Sequence, residues 1–456
     1  MEKQSCTHAL KACLSDPAVW TGLFAAIYLA VLPMADTIAL RNVALLALLL
    51  CLVWQFPKIR PEFRLGLPIL LWAIYLLIFP FIADDHRVAL QSLEGQWARG
   101  ILAMLAGAGT ALVLRKKNIG SAFYLGLVSS VTLLVFLSLA AWKALQTGQI
   151  PWGYWGRESH HADLGYAAGQ AVVLLMTALI AGQRRYRLWA LLLVACALIS
   201  PALAYSRAGL AFAVLGGLLV FLAVVLTQAG ATRRYVLGGT AALLLASVAV
   251  IGVAVKVDPR WQDMTVKFAA GFLGDPILIE CEGTASIEAE ISSRFAPAER
   301  AQRVIAGVRD GDGARVVLLR AGLELAYKHP WGLDGSRQSF QKLLRQECVT
   351  PVLNMAHAHN GWVDTSLAIG WAGVLLYLWV LVYFCAQGLM HLRDNSELSE
   401  WALVLIALSI FWMLRAWTDS VFRDHMFEMQ GFVLAYALLQ VRFGSGSIGD
   451  SRKLAD

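Results

Sequence analysis

The chain has 456 residues, 58% of them hydrophobic and only 15% charged, with a formal net charge of +7 at pH 7. About a quarter of the residues of a soluble globular protein are charged, so this composition excludes that class. Long apolar runs separated by short Arg and Lys clusters instead predict an all-α integral membrane protein, with about twelve transmembrane helices and one large, mainly helical loop domain.

A weakly charged 16-residue leader comes first. The apolar run behind it lacks a small-residue cleavage site and so reads as a retained span. Spans are predicted at about 18–35, 38–56, 65–83, 97–114, 119–142, 163–182, 186–205, 208–228, 235–255, 371–390, 401–418 and 426–442. The basic turns are KIRPEFR (58–64), RKK (115–117), QRRYR (183–187), TRR (232–234) and HLRD (391–394). Positive charge marks the cytoplasmic side, which places these turns and the N-terminus there. The short loops at 143–162 and 200–207, and the segment from about 256 to 358, then lie opposite. The expected units are 1–255 with nine spans, 256–370 as the loop domain, and 371–456 with three spans and a cytoplasmic tail.

Arginines on the disfavoured side stand out. Arg41, Arg99 and Arg415 fall at outer ends of spans, where a guanidinium either snorkels to headgroups or helps bind a polyanion. The loop WGYWGRESHHADLGY (152–166) adds Arg157, His160, His161 and Asp163 among aromatic rings that either anchor an interface or stack on sugars. Arg207 sits in AYSRAGLAF (204–212), a turn too tight to let it wander.

The outer segment is too long to be a passive connection and must fold. MTVKFAAGFLGDPILI (264–279) is apolar enough to rest on a membrane surface; 286–310 reads as a charged helix broken near Pro297, and 315–330 as a helix ended by Pro330. Its acids and bases nearly cancel, which argues against a nucleic-acid partner. By itself Arg320 reads more readily as a partner of Glu324 one turn on than as a ligand-binding residue. Cys281 and Cys348 both fall in this segment, and an oxidising compartment would allow them to pair; two free thiols are the less favoured alternative, and spacing alone does not prove a bridge.

MAHAHNGWVDTSLAIGW (355–371) then places His357 and His359 at the mouth of a span, with Asn360 suited to cap the helix that follows. These histidines are either solvated interfacial residues or one is a general base, which must be neutral to act. No Walker loop, dinucleotide fingerprint, HExxH pattern, Cys/His cluster or GxSxG elbow occurs, so no cofactor and no metal are expected.

The multi-span layout, the Ser206-Arg207 pair opening a span, the run RAGLELAYKHPWGLDG (320–335) and His359-Asn360 after a late outer loop together resemble the O-antigen ligase and polymerase superfamily. The resemblance covers about residues 150–375 in motif order. It implies a bacterial inner-membrane glycosyltransferase whose active site faces the periplasm. The ligase branch moves O-antigen polysaccharide from undecaprenyl pyrophosphate to a sugar hydroxyl of the lipid A core, completing lipopolysaccharide. Carried over by motif, the catalytic set is Arg207, Arg320 and His359, with His359 preferred to His357 because Asn360 follows it. Arg41, Arg99, Arg157, His161 and Asn360 are the expected substrate-binding residues. The partners implied are the lipid-linked donor, the lipid A core acceptor and membrane lipid, acting on a monomer. A polymerase, a protein-glycosylating oligosaccharyltransferase and a transporter of lipid-linked sugars are the alternatives. Polar groups confined to one face, without repeated halves, favour an enzyme over the transporter.

Overall fold

The computed structural model describes residues 16–117, 120–156, 160–227, 231–348, 350–394 and 398–444. These residues form helices and no strand. α1 (Pro17–Val31) starts at an Asp16 cap, and α2 (Ile38–Ile59) returns against it. α3 (Leu67–Ile78), α4 (His86–Ser92) and a π-helical stretch at Leu93–Trp97 lead into α5 (Ala98–Arg115). α6 (Ala122–Ser129) and α7 (Val131–Thr147) form a pair bent by 41°. α8 (His161–Ala181), α9 (Arg187–Leu203), α10 (Arg207–Thr227) and α11 (Ala231–Val257) complete the first bundle. After the insert come α18 (Gly361–Asp394), α19 (Glu400–Arg415) and α20 (Asp424–Gly444).

Each of the twelve predicted spans coincides with a helix or a bent pair. Among the described residues, seven stretches are long and apolar enough to cross a membrane, and the bent α6–α7 pair would be an eighth. α1 and α3 are shorter apolar helices. α19 has 16 residues, and α20 begins with Asp424 and carries Glu428. Length and composition thus support seven or eight of the twelve predicted spans among the described residues. The chain is a multi-pass membrane protein with a buried centre: α8 is buried continuously from Asp163 to Ala178. A Cβ on Gly165 would stand 2.7 Å from the Gly209 Cα, so these two glycines let α8 and α10 touch backbone to backbone. That contact sets the Arg207 turn beside the start of α8.

The insert contains α12 (Met264–Ala270), α13 (Pro276–Glu282), α14 (Ala285–Arg294), α15 (Ala298–Arg309), α16 (Asp312–Lys328) and α17 (Ser339–Glu347). The break at Pro297 and the end before Pro330 match the sequence expectation. Two apolar cores hold the insert together. One gathers Leu318, Leu325, Phe340 and Leu343 with Val363 and Leu367 of α18; the other gathers Ile279, Ile291, Val304 and Val317. α16 contributes to both and is the spine. A Cys281–Cys348 disulfide, 67 residues apart in sequence, ties α13 to the end of α17.

α18 is two helices meeting at a break, at Ile369 and Gly370. The turn after α16 docks there: Leu333 N–H donates to the Leu367 carbonyl, Gly335 N–H to Ala368, and Trp371 N–H to Pro330. Gly370 (φ +75) and Gly332 (φ +79) approach so closely that a Cβ on Gly332 would lie 2.4 Å from the Gly370 nitrogen. This explains the glycines of HPWGLDG: they let the insert's spine sit directly on the backbone of the span that follows His359.

Candidate active site

The site is built where the insert meets three helix ends. Asn360 caps α18 as expected, its Oδ1 accepting from Val363 N–H at 3.0 Å, and its Nδ2 donates to the Trp417 carbonyl at 3.0 Å. Gly361 N–H reaches the Ala416 carbonyl. The cap therefore does more than start a helix: it fastens the HAHN loop to the α19–α20 turn. His359 is held with φ +51, a left-handed conformation rare outside glycine.

Held there, His359 directs Nδ1 towards Asp419 Oδ1 at 3.7 Å, ion-pair range but too long for a hydrogen bond. That nitrogen is buried and has no hydrogen-bond partner among the described residues. Asp419 is fixed from its other side, where Tyr166 donates to Oδ2 and Arg415 reaches the same oxygen at 3.3 Å. Arg415 is only 2% exposed and stacks over the rings of Tyr166 and Phe212. It is thus neither a lipid anchor nor a ligand but the buried counter-ion of Asp419. Burial alone would raise the Asp419 carboxyl; His359, Arg415 and the Tyr166 hydroxyl outweigh it and hold the group well below the usual carboxylate range.

His357 stands beside His359 with ring centroids 4.2 Å apart. Burial first, then the charges of Arg423 and His359, push its imidazole down to about 3, so it stays neutral. The ligand atoms of His357, His359 and Asp419 lie within 4.8 Å of one another, which makes them the one group among the described residues able to hold a cation. Two imidazoles and a carboxylate suit a transition metal such as zinc better than magnesium. A metal there would compete with any role of His359 as a base.

The expected arginines take different places. Arg207 makes a two-pronged ion pair with Asp312, at 2.8 and 3.0 Å, and donates to the Arg260 carbonyl. Asp312 opens α16, so Arg207 pins the N-terminus of the insert's spine. Arg320 spends its donors on the carbonyls of Gly271, Leu273 and Gly274. Arg315, in the same helix, is exposed, makes no hydrogen bond or ion pair among the described residues, and lies within electrostatic reach of His161 and His357. Arg423 also flanks His357; its Nη1 donates to the Arg337 carbonyl at 3.5 Å, while its buried Nε has no partner among the described residues. His161 packs on Trp155 and is within reach of Asp419. Arg41 and Arg99 line a separate cavity with Asp163 and His425. Arg157 lies outside the described residues.

Sequence reasoning therefore missed Asp419, Tyr166, Arg423 and Arg315. A signal existed for two of them. WTDSVFRDH (417–425) packs two acids and an arginine between apolar spans, on the same side as HAHN. Arg315 heads the same helix as Arg320, and only its orientation tells them apart.

An imidazole beside a carboxylate kept ionised, with guanidiniums nearby that keep donors free, has the parts to take a proton from a hydroxyl and to stabilise a departing anion. Comparison with curated proteins finds no match. A family model described as O-antigen ligase matches residues 192–378, from α9 through the Arg207 turn, the insert and HAHN into α18, and this match supports membership of the O-antigen ligase and polymerase superfamily.

Proposed function

We propose that the protein is an O-antigen ligase that transfers O-antigen polysaccharide from undecaprenyl pyrophosphate to a sugar hydroxyl of the lipid A core at the periplasmic face of the inner membrane. The observation that carries this reading is the His359–Asp419 pair, flanked by Arg315, which has no partner among the described residues, and by Arg423, whose buried Nε has none, at one end of the spans.

The acceptor hydroxyl gives its proton to His359 Nε2, while Nδ1 faces Asp419. The freed oxygen attacks the anomeric carbon from the face opposite the diphosphate, inverting that centre. The glycosidic C–O bond breaks and its electrons leave with undecaprenyl diphosphate. Arg315 and Arg423 neutralise the growing charge without a metal. Arg207 holds the helix that presents Arg315, and Arg320 shapes the 271–274 turn beneath it. The asymmetry between them is physical: a guanidinium whose donors are already spent on carbonyls has little left for phosphate oxygens.

Purified protein is incubated, with chelator present, with undecaprenyl-pyrophosphate-linked glycan and either lipid A core or no second acceptor. Transfer that requires the core supports the ligase; chain growth without it identifies a polymerase instead. His359→Ala should abolish transfer in folded protein, because general-base assistance is typically worth 10²- to 10⁴-fold. Normal product from that variant would remove His359 from the chemistry.

A further inference from the structure

A second polar chamber opens beside the centre. It is a cavity of about 210 Å³ between the α1–α2 turn and the starts of α5, α8 and α20. It shares a wall with the His359 site. Asp163 faces the cavity, and Tyr166, which holds Asp419, lies three residues on, on the same face of α8.

Its chemistry is unusually complete. Arg99 is half-buried in the wall and has no hydrogen-bond or ion-pair partner among the described residues. A guanidinium left so is costly unless something bonds to it. Arg41 is anchored through Nε to Thr37 at 2.9 Å and through Nη2 to the Met34 carbonyl, which leaves Nη1 for the cavity. Asp163 accepts or shares a proton with His425 Nε2 at 3.1 Å, so the other ring nitrogen of His425 stays unengaged. Glu428 is braced from behind by the Tyr28 hydroxyl at 2.6 Å.

The charge count decides what fits. Three guanidiniums, Arg41, Arg99 and Arg337, face four carboxylates, Asp36, Asp163, Asp424 and Glu428. A diphosphate would meet this excess of carboxylates, and a cation would meet three guanidiniums. A neutral polyhydroxylated ring uses both sets, since each hydroxyl donates once and accepts twice. The volume agrees, being below the roughly 300–1,000 Å³ of pockets for larger ligands.

We infer that this cavity is the saccharide subsite for the acceptor: it binds one uncharged sugar ring next to the hydroxyl that His359 deprotonates. The inference rests on the ligase reading for the word acceptor, but the binding itself needs no donor. The test is saturation-transfer NMR on the full chain in nanodiscs, with phosphatase-treated core oligosaccharide as probe and inorganic phosphate as competitor. The oligosaccharide should bind the wild type. Arg99→Gln and His425→Gln should each weaken it at least tenfold, and raise the acceptor KM as much while kcat stays within threefold. Asn42→Trp, which fills the mouth from an exposed position, should do the same without touching a buried charge. Absence of binding, unchanged binding in all three variants, or displacement by phosphate overturns the assignment. Saccharide binding that depends on Arg99, in a protein that transfers nothing to the core, keeps the cavity and sinks the ligase.

Discussion

Replacing Asp419 by Asn removes one charge and almost no volume. The 3.7 Å separation from His359 makes the consequence calculable. When His359 takes the acceptor proton, imidazolium and carboxylate attract by about 4 kcal/mol at an effective dielectric near 20. Each 1.36 kcal/mol is a factor of ten in rate, so full loss corresponds to about 10³-fold. Partial exposure of both side chains, 27% and 15%, screens some of this, and about 10²- to 10³-fold in kcat is expected. The acceptor KM should hardly move, because the charge pair forms only as the proton transfers. The variant also strands the buried Arg415, so its melting temperature is measured alongside, and turnover is read well below it. The assay is transfer of lipid-linked glycan to lipid A core at saturating levels of both. A kcat within threefold of wild type, in folded protein, would refute the role given to Asp419.

Other expectations concern the insert and its seam. Arg315→Gln should lower kcat at least a hundredfold whereas Arg320→Gln should mainly lower thermal stability; the reverse pattern, read by the same transfer assay and a thermal melt, would return the anion-binding role to Arg320. Glu280 is fully buried with both carboxylate oxygens unpartnered, and burial pushes it from 4.5 up to about 7. A raised acid favours the folded state when protonated, so this contribution is intact below about pH 4.5 and is lost as pH rises through 7, at a cost of about 3 kcal/mol. Glu280→Gln should therefore match wild type in melting temperature near pH 4.5 and exceed it at pH 8, and equal temperatures at pH 8 would contradict the burial argument. Cys281→Ser releases a loop of 67 residues' separation, and chain entropy predicts a loss of about 4 kcal/mol, visible as a lower denaturation midpoint that reductant also produces in the wild type. Gly370→Ala must place a Cβ 2.6 Å from the Trp331 carbonyl at φ +75, so activity and stability should fall together; an unaffected variant would mean that the seam is soft.

Much was legible in the sequence because membrane insertion is decided locally. Whether a run of some twenty residues can leave water depends on its own side chains, and so the spans, the late insert, the break at Pro297 and the Asn360 cap could be read residue by residue. The same locality leaves α19 and α20 less clear as crossings: α19 has 16 residues, and α20 carries Asp424 and Glu428 near its start. Partnership is different. Arg207, Arg315, Arg320 and Arg415 are alike as sequence, each an arginine near an apolar run. Folding gives one to Asp312, one to three carbonyls and one to Asp419, and leaves one without a partner among the described residues. His357 and His359 were likewise separable only by resemblance until the left-handed turn at His359 aimed one ring at a carboxylate sixty residues away. By itself the sequence determined which segments leave water and which polar groups stay at their ends. Only the tertiary structure decided which of those groups meet, because a charge's role depends on partners brought near by packing rather than on its neighbours along the chain.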